Sequence, residues 1–243
     1  MNTRDIVFPV AVLDEDEQPV SLAGSAFPVT PDGGLLTCLH VVNRVDGNGV
    51  QIRVGIIDAQ QRRIYPIEEH FSPPPDAGLD IAYLPLAGGR PTPCYLPILD
   101  PDEVLMGSDA NMLGYYSGAL PFEVGSFRGS AVAVSTERRH QRIRLSYPVI
   151  EGCSGSPLLT YHNGTKVAGM AYGSESQRIQ TYEVVDVQDG ESRYRETVHR
   201  IVEFGLAHHA SAVIWFLESH LPHELTTQDA RGFCCRSSDT AVW

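Results

Sequence analysis

Three short segments carry residue types suited to covalent catalysis. His40 closes the apolar stretch Leu35-Leu36-Thr37-Cys38-Leu39, which follows Gly24-Ser25-Ala26-Phe27. Asp80 opens the run Asp80-Ile81-Ala82-Tyr83-Leu84, and Ser154 lies within Gly152-Cys153-Ser154-Gly155-Ser156-Pro157. A serine hydroxyl is a weak nucleophile at its own pKa and needs a base within hydrogen-bond reach. An imidazole, with an ordinary pKa near about 6.5, serves as base and then as acid around neutral pH. Singly, each signal is weak: a histidine after a strand is usually structural, an aspartate at a strand start usually caps it, and Gly-x-Ser-Gly is common in turns. The order His, Asp, Ser carries the weight, with 40 and 74 residues between successive members. Asp76 rivals Asp80 for the carboxylate, but the apolar Ile81, Ala82 and Leu84 after Asp80 favour the latter. Asp32 and Asp58 lack that context.

The elements around these residues read as short strands separated by Gly, Pro, Asn and Asp, the pattern of an all-β sandwich or barrel. A first series covers residues 6–13, 19–29, 35–37, 50–57, 64–70 and 80–86. The acidic turn Asp14-Glu15-Asp16-Glu17 separates its first two members. A polar, Pro-containing connection from about Ala87 to Met106 marks a boundary. A second series covers 109–115, 122–135, 142–148, 157–161 and 166–172, and Asn163-Gly164 between the last two is a hairpin signal. Residues 182–187 and 194–202 flank Asp189-Gly190 as a further hairpin. Leu206, Ala210, Val213 and Leu217 form one apolar stripe at helical spacing, which predicts a helix ending before Pro222. Residues 221–243 lack periodicity and read as a mobile tail. The expected organisation is residues 1–98 with His40 and Asp80, residues 99–220 with Ser154 and the helix, and the tail.

The 243 residues are 42% hydrophobic and 20% charged, as suits a packed protein. A net charge of −12 argues against nucleic acid and anionic membranes as partners, since both are bound mainly through Lys and Arg. No apolar run reaches the roughly 20 residues that span a bilayer. The start, Met1-Asn2-Thr3-Arg4-Asp5, does not read as a signal peptide. The five cysteines, Cys38, Cys94, Cys153, Cys234 and Cys235, read as reduced thiols, and the expected location is cytoplasmic.

Together the three segments resemble the trypsin-like (chymotrypsin-fold) serine peptidases, most of all bacterial members of the glutamyl-endopeptidase and HtrA type. The resemblance covers about residues 6–220. It implies two six-stranded antiparallel β-barrels with a C-terminal α-helix, an active site between the barrels, and no cofactor. It implies Ser154 as nucleophile, His40 as general base and acid, and Asp80 as the group that orients the imidazole. It also implies an oxyanion hole from the N–H groups of Gly152 and Ser154. Pro148, Val149 and Ile150, with Tyr147, would line one wall of the pocket for the residue before the cut, with Glu151 at the rim. Ala171, Tyr172 and Gly173 would form the opposite wall and an edge for the peptide. Pro148 stands six residues before Ser154, where Arg/Lys-specific relatives hold an acid, so an apolar or small residue is expected instead. Ser156 stands where the family commonly has Gly, and Cys38-Leu39 where it has Ala-Ala. Cys153 stands where digestive members carry an Asp that pairs with a cut N-terminus, so no zymogen step of that type is expected.

Other constellations fit less well. Gly152-Cys153-Ser154-Gly155-Ser156 nearly matches the nucleophile elbow of α/β-hydrolases, but Pro157 opposes the helix that must follow it. Cys153 as nucleophile would put the thiol one position early. His208-His209, and His220 and His223 with Cys234 and Cys235, do not make a tetrahedral zinc set, so no metal is expected. The chain is thus expected to act on a peptide or protein substrate. Its resemblance to standalone bacterial peptidases of defence or signalling systems implies control by a partner such as a signalling ATPase, with residues 174–196 as a regulatory dock or a plain surface hairpin. The alternative is a catalytically silent, protease-like module that binds peptides or proteins.

Overall fold

The computed structural model describes residues 6–30, 33–58, 63–85, 95–116, 121–137, 140–161, 164–189 and 192–220, with backbone only over 178–200. Cys94, Cys234, Cys235 and the expected tail 221–243 lie outside the described residues.

The first sheet holds β1 (Phe8–Leu13), β2 (Pro19–Pro28), β3 (Leu35–Thr37), β4 (Val54–Asp58), β5 (Arg63–Pro66) and β6 (Ala82–Leu84). Its order is β5-β4-β1-β2-β3-β6, antiparallel throughout. β1 lies between β4 and β2 and buries nearly every side chain, which explains its unbroken apolar run Phe8-Pro9-Val10-Ala11-Val12-Leu13. The acidic turn closes as an Asx turn: Asp14 Oδ1 accepts the N–H groups of Asp16 and Gln18 at 3.0 and 2.8 Å.

The second sheet holds β7 (Asn111–Tyr116), β8 (Glu123–Phe127), β9 (Ala131–Glu137), β10 (His140–Leu145), β11 (Pro157–Thr160), β12 (Lys166–Asp189) and β13 (Ser192–His209). Its order is β8-β7-β11-β12-β13-β10-β9. It therefore has seven strands where six are expected. The run 122–135 splits into β8 and β9 at Arg128–Ser130, where Gly129 packs so close to the Tyr147 ring that a Cβ would meet Cδ1 at 2.4 Å. β10 shows the two-residue period plainly, with Ile143 and Leu145 buried and Arg142 and Arg144 partly exposed.

The expected strand 166–172 and hairpin 182–202 are one continuous feature. β12 and β13 pair from Gly169↔His209 to Asp189↔Ser192. The neighbours β11 and β10 reach only to Met170 and Gly205, so beyond them the hairpin is a two-stranded ribbon. The helix α1 (Leu39–Val42) is a single turn, and α2 (Ala210–His220) follows β13 directly. Leu206 belongs to β13, paired with Arg144 and Gly173, not to the helix. Side-chain spacing alone does not show where the strand ladder stops. α2 buries Ala212, Val213, Phe216 and Leu217, which share one core cluster with Phe27, Leu35, Leu36, Ile81 and Tyr83 of the first sheet and with Leu113, Leu159 and Met170 of the second. At about 25 cal/mol per Å² of apolar surface, this shared cluster holds the two sheets as one unit. Among the described residues no helix is long and apolar enough to cross a membrane.

Candidate active site

The register of β3 against β6 brings the histidine and the carboxylate together. Thr37 pairs with Ala82, so His40, three residues after Thr37, meets Asp80, two residues before Ala82. The turn of α1 buries Val41 and Val42 and leaves His40 facing out, its side chain 49% exposed. The His40 main-chain N–H donates to Asp80 Oδ1 at 2.9 Å, and His40 Nδ1 lies 2.5 Å from Asp80 Oδ2. Burial alone would raise the Asp80 carboxyl. The ring and main-chain hydrogen bonds from His40, with the attraction of its charge, outweigh that and hold it below the ordinary carboxylate range. Asp76 is exposed in the turn Pro75–Ala77 and Asp58 is buried in β4. Asp32 lies outside the described residues.

Ser154 is presented by the tight loop between β10 and β11. Cys153 N–H donates to Ile150 O and Ser156 N–H to Cys153 O, each at 3.0 Å. Two left-handed glycines make the loop possible, Gly152 at φ +89 and Gly155 at φ +87. A Cβ on Gly155 would lie 2.1 Å from Ser25 O, and one on Gly152 would lie 2.3 Å from Leu22 Cδ2. Among the described residues neither the Gly152 nor the Ser154 N–H donates a hydrogen bond, which leaves both free for an oxyanion. The Ser154 hydroxyl donates to Tyr172 O at 3.3 Å rather than to His40.

The loop is bolted down by Ser25, which is fully buried. Its N–H donates to Ser154 O at 2.8 Å and its Oγ donates to Gly152 O at 2.9 Å. The same Oγ accepts Tyr115 N–H at 2.9 Å, and Thr37 Oγ1 donates to Ser25 O at 2.7 Å. One small residue of the first sheet thus joins the strand before His40 to the loop that carries Ser154. No local pattern marks this task of Ser25, because its partners lie 127 and 90 residues away.

The residues expected to wall the pocket differ in exposure. Pro148 is half-buried, Val149 is buried, and Ile150 and Glu151 are exposed. Ala171 is buried, with Tyr172 and Gly173 half-exposed. Ser174 Oγ ties the walls together, accepting Val149 N–H at 2.7 Å and donating to Val149 O at 3.0 Å. Tyr147 turns its hydroxyl away to Ala110 O at 2.7 Å.

The departures from the family pattern have local explanations. The Ser156 hydroxyl fits because Gly114 faces it: a Cβ on Gly114 would lie 1.9 Å from Ser156 Oγ. Among the described residues that Oγ is buried without a hydrogen-bond partner. Ser156→Ala is therefore expected to raise stability by about 1 kcal/mol in denaturant unfolding, by removing an unpaired buried hydroxyl; a loss of stability would show that it is paired. Cys153 is buried against Tyr115 O, and burial pushes its thiol up to about 12, far from a reactive thiolate. Cys38 Sγ, His40 and Asp80 place ligand atoms within 4.8 Å of one another. Burial raises the Cys38 thiol, which donates to Ala171 O, and His40 Nδ1 is engaged by Asp80. His40 and Asp80 are thus committed to each other, and the Cys38 thiol to Ala171 O.

The adjacent His208 and His209 sit in a strand and so face opposite ways: His208 Nε2 accepts Asp80 N–H at 3.2 Å, while His209 Nδ1 lies 2.9 Å from Ser211 Oγ. His220 packs on Trp215 and Phe216, and His223 lies outside the described residues. Burial first, then the Arg142 and His140 charges against the pull of Asp80, lowers His208 to about 4. The unfolded histidine takes a proton near pH 6.5 and the folded one only near 4, so stability is lost as pH falls through that window. The expected loss is about 3 kcal/mol, and Asp80, with its lowered carboxyl, adds in the same direction at more acid pH. Urea unfolding at pH 7 and pH 4.5 measures it, and His208→Gln should flatten the slope.

The profile of the trypsin-like peptidase domain matches residues 24–170. The chain belongs to this family. In the matched stretch the peptidase domain includes all of the segments bearing His40, Asp80 and Ser154. Two solved structures of the HtrA-type protease AlgW, one with a tripeptide and one with a decapeptide, share the fold, each at TM-score 0.55. Identity is 14% and 13%, over 89% and 88% of this chain and 60% and 62% of theirs. The chain thus spans about 60% of the length of those proteases. No curated protein matches it. The peptidase domain is mostly β, with two antiparallel sheets and a C-terminal helix, as the sequence implied.

Proposed function

We propose that the chain is a serine endopeptidase that works through Ser154, His40 and Asp80. The observation that carries this reading is the His40–Asp80 pair, 2.5 Å between Nδ1 and Oδ2, together with a serine loop whose Gly152 and Ser154 N–H groups are unengaged among the described residues. Ser154 Oγ attacks the peptide carbonyl carbon and His40 Nε2 takes its proton. The oxyanion is held by the Gly152 and Ser154 N–H groups. The C–N bond breaks, the amine leaves with the His40 proton, and water hydrolyses the acyl-enzyme by the same route. Asp80 keeps the His40 proton on Nδ1 and stabilises the imidazolium. For the first step the Ser154 hydroxyl must leave the Tyr172 carbonyl, a rearrangement that substrate binding drives.

In this reading residues 1–98 carry the base and the acid, residues 99–220 carry the nucleophile, and the peptide lies in the cleft between. It adds as a strand along Ala171, Tyr172 and Gly173, with Pro148, Val149 and Ile150 opposite. The apolar character of those walls supports cleavage after a small or apolar residue, with Glu151 at the rim. An intracellular bacterial setting and control by a protein partner are further parts of the proposal. The free thiols of Cys38 and Cys153 and the acidic balance support the first, and the β12–β13 ribbon, with open backbone edges for a partner strand, supports the second.

A second reading has one observation in its favour: the Ser154 hydroxyl is bonded to Tyr172 O and not to His40, as would suit a silent peptide-binding module. A fluorophosphonate probe separates the two, since only an assembled site acylates. Wild-type protein is expected to label, and Ser154→Ala and His40→Ala are not. A folded wild type that stays unlabelled would leave the binding module as the better account.

A further inference from the structure

His208 on β13 is among the most buried polar residues of the molecule, 1% exposed, and the mechanism above does not use it. It sits where the two sheets meet beneath the acid. Its Nε2 accepts the Asp80 main-chain N–H at 3.2 Å, and its ring stacks on Tyr172 with centroids 4.4 Å apart and planes 25° off parallel. Tyr172 in turn receives the Ser154 hydroxyl at its carbonyl. One imidazole thus touches the residue that orients the base and the residue that holds the nucleophile. We propose that His208 is a positioning residue: its neutral ring accepts the Asp80 N–H and aims the carboxylate at His40. This rests on the triad reading above.

The chemistry of the contact explains why a histidine stands there. Asp80 is anchored from two sides, its carboxylate by His40 and its N–H by His208. A buried peptide N–H without an acceptor is costly, and an aliphatic residue at 208 would leave it so. Because Nε2 accepts, the proton of the neutral ring is on Nδ1, which has no partner among the described residues. Burial keeps it neutral against the pull of Asp80 from the first sheet. Arg142 and His140 on β10 also oppose a positive charge, and Tyr172 covers the ring from β12. Arg142 is paired with Glu137 on β9 and lies 5.5 Å from the Tyr172 ring. Sequence reading weighed His208 only as a metal ligand, since its partner is 128 residues away.

Two substitutions separate this role from packing. His208→Phe keeps the ring on Tyr172 and deletes the acceptor; His208→Gln loses the ring and keeps a carbonyl that can accept. Fluorophosphonate acylation rates are measured on the full chain, with thermal unfolding recorded for each variant. The Phe variant is expected to acylate about 10- to 100-fold more slowly, the cost of a small misplacement in an active site, and the Gln variant to recover most of the rate. A purely structural role predicts the reverse order. Equal rates for Phe and wild type, or a Gln variant as slow as Phe, would overturn the proposal. Long-range ¹H–¹⁵N NMR of the wild type tests it even if the Phe variant does not fold: the proton is expected on Nδ1, and an Nε2–H or charged ring at pH 7 excludes the contact. Labelling of wild type but not of Ser154→Ala keeps the triad reading whatever His208 does. An unlabelled wild type removes both.

Discussion

Replacing Ser154 by alanine is expected to lower peptide turnover by a factor of about 10⁶, with little change in folding. The two effects separate because the residue plays two roles with different atoms. Its main-chain carbonyl accepts Ser25 N–H at 2.8 Å and holds the loop, and alanine keeps that bond. Among the described residues its side chain makes one hydrogen bond, to Tyr172 O at 3.3 Å, and losing a bond of that kind costs about 1 kcal/mol or less. The nucleophile, by contrast, has no substitute in the loop, since the Cys153 thiol points to Tyr115 O and is held protonated by burial. His40→Ala should be nearly as damaging, and the double variant no worse than either, because base and nucleophile act as one unit. Turnover measured on a casein-derived or fluorogenic peptide checks this. Activity that survives Ser154→Ala would assign the chemistry elsewhere, whereas a lowered melting temperature would show that the hydroxyl also supports the loop.

The second large effect is expected at Asp80. Asn at this position keeps the shape, and its amide oxygen can still take the His40 main-chain N–H now held at 2.9 Å. Its NH₂ then faces His40 Nδ1, where the carboxylate oxygen lies at 2.5 Å. Two donors cannot share that contact, so the ring must carry its proton on Nε2, where it can no longer accept from Ser154. The expected loss is about 10⁴-fold in kcat, a magnitude carried over from this family's triads rather than read from this geometry. Asp76→Asn is the control, since Asp76 is exposed in the turn Pro75–Ala77; it should leave kcat unchanged. An Asp80→Asn variant as active as wild type, or a loss at Asp76 instead, would reassign the acid.

The residues that surround these groups show how far local pattern reaches. The choice of Asp80 over Asp76 was legible, because Ile81, Ala82 and Leu84 mark a buried strand and a strand start can be matched to its neighbour. The left-handed conformation of Gly152 and Gly155 came only from the structure, although both glycines stand in the motif that carries Ser154. The helix start was not. Leu206 continues the apolar period of α2, yet it is paired on both sides within β13, and ladder hydrogen bonds override side-chain spacing. The split at Arg128–Ser130 was hidden for a related reason, because it depends on Tyr147 packing against Gly129 from elsewhere in the chain.

By itself the sequence determined the all-β class and the family, and it singled out His40, Asp80 and Ser154 as the proposed site. These are written in local alternation, turn residues and short blocks, which need no knowledge of distant partners. Only the tertiary structure decided that Ser25 bolts the serine loop, that Gly114 makes room for Ser156, and that His208 underlies Asp80. Each depends on atoms brought together from positions 42 to 129 residues apart, and no local period encodes which of the buried serines, glycines and histidines will meet.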